Sequence, residues 1–572
     1  MTPMRSVFPI IMRRMRPPMI VLISAYALAV LGFTLMPGVD DQGQPWSMTF
    51  FEAFYVVSYT GSTIGFGEVP YAFSSAQRLW TMVSIYLTVF AWLYSVGTII
   101  SLIQDPEFRS ALIRSRQLRS MGGLREPFYL ICGYGDTGKL LARALIGRGY
   151  RIAVIDQDAG NMEQLRSQDS GIHVPAFCMD AEVPGNLIDA GLQHPWCMGV
   201  LAVTDSDHTN LKVAIAAKLL NREIMVFCRA DSEETANNML SFGTDLVVNP
   251  CEEFARRLLM GMVEPDGHRV YDWLTSLPDA RLPQRPEPPQ GTWIICGFGD
   301  FGQAVYRVLR EAGMSVTVVA EDLSTCPPGS IQGKGTEAVT LKQAGIDKAS
   351  ALVAGTADDA DNLSIIMTAR QLNPRVYMVA LENRLYNHGL FKLAKPELPV
   401  QTSYLTASRF MSVLSAPMLK DFLDLAAEQG NSWNQTLVKR LTEISGDLTP
   451  DCWSVTLCER DTRAVALSLQ LGEVVELGNV CRDPRKRKNM LDLVPLMLRR
   501  GGESYLLPGP EMPLHSNDRL LFCGTRKAAA LLNWSLHHRN SLRYVHTGEH
   551  RPDGLIWRVM ARRRRARANP QN

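Results

Sequence analysis

Two long apolar stretches near the start of the chain most constrain its fold. Residues 19–36 and 80–103 contain no Asp, Glu, Lys or Arg. Each stretch is close to the roughly 20 residues that an α-helix needs to cross a bilayer core of about 30 Å. They predict two membrane spans, and most of the 572-residue chain is then left outside the membrane.

The charged residues that flank these spans predict their orientation. Arg13 and Arg14 precede the first span and Arg109 and Arg114 follow the second, whereas the segment between the spans contains a single basic residue, Arg78. Basic residues concentrate on the cytoplasmic side of membrane proteins. Both termini are therefore expected in the cytoplasm.

A short helix and a glycine-rich turn are predicted between the spans. Thr49, with Glu52 following it, fits a capping box and predicts a helix over residues 49–58. The turn comes next and ends before the acidic residue Glu68; it consists of Thr63, Ile64, Gly65, Phe66 and Gly67. Its glycines permit backbone angles that direct successive carbonyl oxygens to one side. Rings of such carbonyls from several chains can replace the hydration shell of a cation.

The order of span, short helix, glycine-rich turn and span resembles the pore module of two-span potassium channels. Residues 63–67 match the TVGYG selectivity filter of that family residue by residue, with conservative changes. The resemblance implies a homotetramer in a prokaryotic inner (cell) membrane. It also implies potassium selectivity, with K⁺ bound at Thr63, Ile64, Gly65 and Phe66. Phe66 replaces the family's Tyr and lacks its hydroxyl, and Tyr55 on the short helix offers one instead.

A dinucleotide-binding pattern follows the second span. An apolar run at residues 128–132 leads into a GxGxxG loop, a helical pattern and a second apolar run that ends at Asp156. Such glycines let a pyrophosphate approach a helix N-terminus, and the acid accepts from ribose hydroxyls. We therefore predict a site for NAD or NADH, with these candidate residues: Gly133, Tyr134, Gly135, Asp136, Thr137, Gly138, Asp156, Asp158, Thr204 and Asp205.

The same pattern recurs further along the chain. Residues 293–296 lead into a second GxGxxG loop, and the motif from Thr204 to Asn210 reappears from Thr356 to Asn362. Two tandem copies of one α/β unit are the economical explanation. Ala320 stands where the first copy has Asp156, so the second copy is expected to bind ADP or ATP, or no ligand. Its candidate residues are Gly297, Phe298, Gly299, Asp300, Phe301, Gly302 and Glu321.

These copies resemble RCK domains, the regulators of potassium conductance, as found in ligand-gated bacterial channels. The fold class that this implies is a membrane α-helical pore module followed by two α/β Rossmann-like RCK domains, the second with a small α+β lobe. Residues 453–458 and 464–471 are predicted as strands of that lobe. The expected divisions are a cytoplasmic N-terminus (1–18), the pore module (19–103), a linker (104–126), the first RCK domain (127–277), a Pro-rich linker (278–290), the second Rossmann domain (291–430), the lobe (431–526) and a basic tail (527–572).

The resulting hypothesis is a potassium channel gated by NAD(H) or an adenine nucleotide bound to a cytoplasmic ring of RCK domains. Calcium is a further candidate ligand at the acidic pairs 233–234 and 358–359, although solvated surface charge is the simpler interpretation. One alternative is a membrane-tethered, NAD-binding regulatory subunit of a separate potassium transporter. The other is an NAD-dependent oxidoreductase, which needs a substrate domain with a proton donor and leaves the filter unexplained. No catalytic motif occurs, and a net charge of +2 does not suggest nucleic-acid binding.

Overall fold

The computed structural model describes residues 7–69, 71–105, 108, 112, 119, 121–167, 173–277, 280–281 and 286–549. The chain folds into two compact units. Met1–Arg125 and Pro175–Phe177 form one, and Glu126–Val174 and Cys178–Asn572 form the other. Arg109, Arg114, parts of both predicted linkers and the end of the predicted basic tail lie outside the described residues.

The first unit contains the predicted spans and the short helix. Its helices are α1 (Val7–Leu35), α2 (Phe50–Gly61) and α3 (Ser75–Gln104). The short antiparallel strands β1 (Gly38–Val39) and β2 (Pro45–Trp46) lie between α1 and α2. Two helical segments, Ile11–Leu35 and Ser75–Gln104, are long and apolar enough to cross a membrane by length and composition.

Both long helices extend beyond the apolar stretches that predicted them. A capping box between Ser74 and Gln77 starts α3, so Arg78 lies inside the helix. Charged residues mark the limit of the hydrocarbon layer, whereas backbone hydrogen bonding continues into the polar interface. The capping box of α2, formed by Thr49 and Glu52, is confirmed, and α2 continues to Gly61, beyond its predicted end at residue 58.

Helix α2 is held against the long helices by a small apolar cluster. Its side chains Ala53, Val56 and Val57 are buried together with Ala29 and Phe33 of α1, among others. The indole Nε1 of Trp80 on α3 donates to the carbonyl of Ala29 at 3.0 Å. A Cβ at Gly32 would lie 1.9 Å from Trp80 Cε2, so that glycine lets α1 and α3 approach closely.

The second unit begins with a six-stranded sheet in the order β5-β4-β3-β6-β7-β8. Its strands are β3 (Phe128–Cys132), β4 (Arg151–Asp156), β5 (Ala176–Cys178), β6 (Cys197–Ala202), β7 (Met225–Arg229) and β8 (Leu246–Val248). The intervening helices are α4 (Asp136–Gly147), α5 (Ala159–Ser167), α6 (Pro184–Asp189), α7 (Asp207–Leu220) and α8 (Glu233–Ser241). This order is that of a Rossmann fold, with the topological switch point between β3 and β6.

The second copy repeats this topology, with the strand order β11-β10-β9-β12-β13-β14, all parallel. Its strands are β9 (Thr292–Cys296), β10 (Ser315–Ala320), β11 (Ile331–Gln332), β12 (Ala351–Ala354), β13 (Tyr377–Glu382) and β14 (Leu398–Gln401). Its helices, in the order of the chain after α9 (Pro250–Val263) and α10 (Pro265–Thr275), are α11 (Asp300–Glu311), α12 (Ala338–Gln343), α13 (Asp359–Leu372) and α14 (His388–Ala394). The predicted tandem α/β repeat is confirmed.

The two copies exchange the helices that follow their sheets. Phe254 on α9, which follows the first sheet, stacks on Phe301 of the second copy with ring centroids 5.2 Å apart. Phe410 lies on α15 (Thr402–Ser415), which follows the second sheet, and contacts Phe227 of β7 at 5.6 Å between centroids. The predicted boundary at residue 277 therefore does not separate two independent cores, because α9 buries its apolar face in the second copy.

A buried charge network connects α9 to α10. Glu253 accepts hydrogen bonds from Arg257 Nε at 2.8 Å, from Arg256 Nη2 at 2.7 Å and from the Tyr271 hydroxyl at 2.8 Å. Burial opposes ionisation of Glu253, but Arg257 and Arg256 outweigh it and lower the pKa of this carboxyl to about 2. The charge on Glu253 is therefore compensated inside the fold.

The chain continues through α16 (Leu419–Ala427) and α17 (Asn431–Ser445) into an antiparallel sheet. This sheet has the order β15-β18-β16-β17 and comprises β15 (Asp451–Thr456), β16 (Leu493–Arg500), β17 (Glu503–Leu506) and β18 (Arg519–Gly524). The strand predicted at residues 464–471 is wrong, because Arg463–Gln470 forms helix α18. The alternating Val465, Leu467 and Leu471 suggested a strand, but only Val465 is buried, while Leu467 and Leu471 are 37% and 58% exposed.

The folded lobe also extends beyond its predicted end at residue 526. After α19 (Leu477–Val480), two further helices, α20 (Arg526–His537) and α21 (Arg539–Thr547), complete it. Their side chains Leu532, Leu536, Leu542 and Val545 are buried in the core of the lobe. The stretch predicted as a basic tail therefore begins with structured, apolar helix faces.

Candidate functional site

The glycine-rich turn after α2 alternates its backbone conformation. Thr63, Gly65 and Gly67 have positive φ angles of 59°, 64° and 73°, whereas Ile64 and Phe66 do not. The turn is anchored to its helix, because the carbonyl of Tyr59 accepts from the backbone N–H of Ile64 at 3.0 Å and of Gly65 at 3.2 Å. Alternation of this kind directs successive carbonyl oxygens to one side, which is the arrangement a dehydrated cation requires.

Two tyrosines of α2 hold the end of this turn. The hydroxyl of Tyr55 donates to Glu68 Oε2 at 3.0 Å, and the hydroxyl of Tyr59 donates to the carbonyl of Glu68 at 3.2 Å. The ring of Phe66 meets Tyr59 edge to face, 6.4 Å between centroids. The sequence predicted a hydroxyl contact from Tyr55 alone. The structure provides two such contacts, from Tyr55 and from Tyr59, which lie one helical turn apart.

The first GxGxxG loop has the geometry of a phosphate cradle. Gly133 has φ of +99°, and a Cβ there would lie 2.9 Å from the backbone nitrogen of Thr204. A Cβ at Gly138 would lie 2.1 Å from the carbonyl oxygen of Gly133. A Cβ at Gly135, in contrast, would meet no heavy atom within 4 Å, so open space lies above the N-terminus of α4. That space and the free helix N–H groups suit a pyrophosphate.

Asp156 lies at the carboxyl end of β4, beside this loop. Its carboxylate accepts from the backbone N–H of Tyr134 and, at 2.7 Å, from that of Asp158. The side chain of Asp158 is turned to the start of α5, where it accepts from Gly160 N at 2.7 Å. Asp156 is therefore placed toward the cradle, whereas Asp158 has a local turn contact.

The repeated motif that begins at Thr204 forms a structural clamp. Asn210 Oδ1 accepts from the backbone N–H and the hydroxyl of Thr204 at 3.0 and 2.8 Å, and Asn210 Nδ2 donates to the carbonyls of Thr204 and Arg229. Thr356 and Asn362 repeat these contacts in the second copy. The motif joins the carboxyl ends of β6 and β7, and of β12 and β13 in the second copy, and leaves little of the Thr204 hydroxyl for a ligand.

The second GxGxxG loop has the same backbone conformation as the first, but the residue at the end of the neighbouring strand differs. Gly297 has φ of +94°, and a Cβ at Gly299 would meet no heavy atom within 4 Å. Gly297 N donates to Val319 O just as Gly133 N donates to Ile155 O, which places Ala320 where the first copy has Asp156. Phe298 and Phe301 pack against other aromatic rings of the protein, against Tyr306 and Phe254 respectively.

A lysine that no sequence motif indicated, Lys334, lies at the carboxyl edge of the second sheet. Lys334 Nζ is 3.8 Å from Glu321 and 3.2 Å from Asp361, and the hydrogen bond to Asp361 raises the pKa of the lysine. The exposed Glu321, predicted as a ligand residue, is thus engaged by a cation. Burial and the nearby Asp231 and Asp207 of the first copy raise the pKa of Asp300.

The first copy's site also receives residues from the second copy. Leu385 N donates to Asp136 Oδ2 at 2.9 Å, and Arg384 lies 3.3 Å from Asp205. Ser206, rather than Asp205, caps α7, whereas Asp358 caps α13 in the second copy. No motif in the sequence pointed to Arg384, since its proximity arises only from the arrangement of the two copies.

Calcium is a candidate ligand at two acidic pairs of the sequence, residues 233–234 and 358–359. Among the described residues, no group of three or more His, Cys, Asp or Glu side chains is arranged to hold a metal ion. Asp359, in the second pair, instead accepts from the backbone N–H groups of Asn383 and Arg384 and from two Asn side-chain amides. The described geometry therefore adds no support for calcium at that pair.

Two domain families match this chain. Residues 19–105 match the ion channel domain, and residues 129–250 and 293–395 each match the TrkA-N domain. The chain thus carries an ion channel domain followed by two TrkA-N domains. Neither family is an enzyme family, which agrees with the lack of a catalytic motif.

Several curated relatives carry the names of potassium channels. Potassium channel protein 1 of Methanocaldococcus jannaschii is 28% identical over 229 residues, 40% of this chain and 66% of the relative. The voltage-gated potassium channel Kch of Escherichia coli is 25% identical over 38% of this chain and 54% of its own length. The chain therefore spans less than two thirds of either relative.

Solved structures of the GsuK channel are also similar. The GsuK channel bound to NAD is 15% identical, with 92% of this chain and 99% of that chain covered and a TM-score of 0.44. GsuK bound to ADP is 17% identical, with 71% of this chain and 99% of that chain covered and a TM-score of 0.42.

Proposed function

We propose that this chain, in which an ion channel domain precedes two TrkA-N domains, forms a potassium-selective channel gated by a nucleotide bound in its Rossmann domains. The observation that carries the proposal is the alternation of positive φ at Thr63, Gly65 and Gly67, anchored to the carbonyl of Tyr59. K⁺ binds the carbonyl oxygens of the turn in this proposal, from Thr63, Ile64, Gly65 and Phe66.

One turn supplies only one side of each carbonyl ring, so the channel is proposed as a homotetramer around the pore axis. Both termini lie in the cytoplasm of a prokaryotic cell, with the spans in its inner membrane, according to the distribution of basic residues. The Rossmann domains, which contain the proposed nucleotide site, are proposed to drive opening.

Exposed apolar side chains support assembly of the Rossmann domains into a ring. In the first copy, Leu219 and Phe242, at the ends of α7 and α8, are 82% and 50% exposed. In the second copy, Met367 on α13 and Leu393 on α14 are 63% and 78% exposed, on the equivalent helices. Apolar side chains that are exposed on corresponding helices of both copies are suited to packing between subunits.

NAD or NADH is the proposed ligand of the first copy. The open space at Gly135, the N-terminus of α4 and the carboxylate of Asp156 fit a pyrophosphate with its adjoining ribose. The hydroxyl of Thr137 in the same loop is buried and has no hydrogen-bond partner among the described residues. The second copy lacks the ribose-binding acid because it has Ala320, so ADP, ATP or no ligand is proposed there.

The proposal is tested by current recordings from the purified full-length chain in liposomes, with and without NAD, NADH, ADP and ATP. We expect K⁺-selective currents that change with at least one of these nucleotides. A chain that ends after residue 120 should conduct without responding to them. Ligand-dependent currents from that truncated chain would place the ligand site in the membrane unit and contradict the proposal.

A further inference from the structure

A charged junction joins the two copies at the carboxyl edge of the first sheet. Arg384, just beyond β13 of the second copy, has its Nη1 3.3 Å from Asp205 Oδ2. Arg229, at the end of β7, has its Nη1 3.4 Å from Asp205 Oδ1. One carboxylate therefore lies between two guanidinium groups that belong to different copies.

The two arginines are held in place by separate contacts. Arg229 is 13% exposed, and its Nε and Nη2 each donate to one oxygen of Asp231 at 3.0 Å, which directs Nη1 to Asp205. The loop that carries Arg384 is fixed by the bond from Leu385 N to Asp136 Oδ2. Asp205 itself is 67% exposed, so it can turn into solvent with little loss of hydration.

The junction lies where the distal part of a bound nucleotide would reach. Asp156 is the last residue of β4, the glycine-rich loop follows β3 and Asp205 comes after β6, so the three lie at neighbouring strand ends in that order. A nucleotide with its ribose at Asp156 and its first phosphates at Gly135 extends toward Asp205. Guanidinium groups bind phosphate and carboxylate with the same paired N–H geometry.

We infer that Arg229 and Arg384 form a subsite for the terminal phosphate of a nucleoside di- or triphosphate, which displaces the carboxylate of Asp205. This inference rests on the proposed nucleotide site in the first copy. NAD has no terminal phosphate, and its second ribose offers hydroxyls that donate to Asp205. The same site thus separates two classes of ligand: phosphate-terminated nucleotides bind the arginines, and dinucleotides bind the carboxylate.

The arginine subsite occurs at the first copy's site and is not repeated at the corresponding place of the second copy. Asp207 accepts from the backbone N–H of Asp231 and Ser232, and Asp359 accepts from those of Asn383 and Arg384, so Ser232 is the first copy's counterpart of Arg384. The second copy's site therefore receives a serine at the corresponding place. At this place a ligand in the first copy meets a cation from the other copy, and a terminal phosphate there draws the two copies together.

The test is calorimetric titration of the purified full-length channel with ATP, ADP and NAD. Every variant also carries Gly299→Val, which closes the second loop and confines binding to the first copy. Arg384→Ala should weaken ATP and ADP binding about ten- to hundredfold, because a charged hydrogen bond is lost, and leave NAD within about threefold. Arg384→Lys should give an intermediate result, and Asp205→Asn should strengthen ATP binding.

The matched control is Arg375→Ala, since Arg375 is exposed at the opposite end of the same strand, and it should change no affinity. If Arg384→Ala weakened ATP and NAD binding equally, Arg384 would have only a structural role and the inference would be overturned. An unchanged affinity for both ligands would overturn it too. Gly135→Val separates this outcome from failure of the proposed function. If it abolishes binding of all three ligands, the nucleotide site stands, and if it leaves them unchanged, both proposals fail.

Discussion

The hydroxyl of Tyr55 donates a 3.0 Å hydrogen bond to the carboxylate of Glu68, across the turn that lies between them. Phe66 lies between these two residues in the chain and has no hydroxyl with which to form such a bond itself. Helix α2 therefore contributes a polar contact that stabilises the end of the turn.

Tyr55→Phe tests that contact. The variant loses a hydrogen bond to a charged group while the ring and its packing remain, so the turn should be held less firmly. We expect retained K⁺ selectivity and a faster decay of current during sustained activation, measured in liposome patches. Tyr86→Phe, on α3 and 65% exposed, is the control and should behave as wild type. An unchanged time course in Tyr55→Phe would show that the bond does not stabilise the conducting turn.

Gly65→Ala should abolish conduction while the assembled protein persists. Nothing lies within 4 Å of a Cβ at Gly65, but its φ of +64° is costly for a residue with a side chain, by about 1–2 kcal/mol. The backbone should relax and turn a carbonyl away from the pore. Gly43→Ala is a matched control, with φ of +80° and equally open space in the loop between β1 and β2. Normal K⁺ currents from Gly65→Ala would refute the filter assignment.

Asp156→Asn should change dinucleotide preference. The variant keeps an acceptor for the backbone N–H of Tyr134 but removes the charge that repels a 2′-phosphate. NAD should bind about ten- to hundredfold more weakly, and the preference for NAD over NADP should shrink. Calorimetry on the full-length protein measures both. Asp158→Asn serves as the control because Asp158 is turned to α5, and equal losses in the two variants would argue against the ribose contact.

Glu253→Gln should destabilise the Rossmann pair. It removes the closer of the two acidic partners of Arg257, which is 8% exposed and keeps only Asp272 at 3.3 Å, at a cost of up to about 3–5 kcal/mol. Glu252→Gln, whose carboxylate is 39% exposed and paired with Arg307, should cost less than about 1 kcal/mol. The midpoint of thermal unfolding of the full chain distinguishes the two. Equal midpoints in the two variants would contradict a stabilising role for the network.

The pKa of Glu253 also predicts a pH dependence. The folded-state pKa is about 2, below the ordinary value of the unfolded chain, so its stabilisation is fully present above about pH 4.5 and is lost as pH falls toward 2. The difference in unfolding midpoint between wild type and Glu253→Gln should therefore shrink on acidification below about pH 4.5. A difference that stays constant down to pH 2.5 would show that the carboxylate is not the titrating group.

Local chemistry made several features predictable from the sequence. Thr49 and Glu52 form the predicted capping box because both partners lie within one helical turn. Glycines with positive φ occur at Gly65, Gly133 and Gly297, where the motifs required them. The strand at residues 464–471 was mispredicted because alternation cannot distinguish a strand from a short helix with one buried face.

The sequence by itself determined the two long apolar helices, the filter-like turn, the repeat and the replacement of Asp156 by Ala320 in the second copy, because each depends on residues close together in the chain. Only the tertiary structure decided that α9 and α15 are exchanged between the copies. It likewise decided that Arg384 meets Asp205, 179 positions away in the chain. Contacts of this kind are set by how apolar helix faces pack against distant sheets, and no periodicity or motif within a segment records which distant surface it will cover.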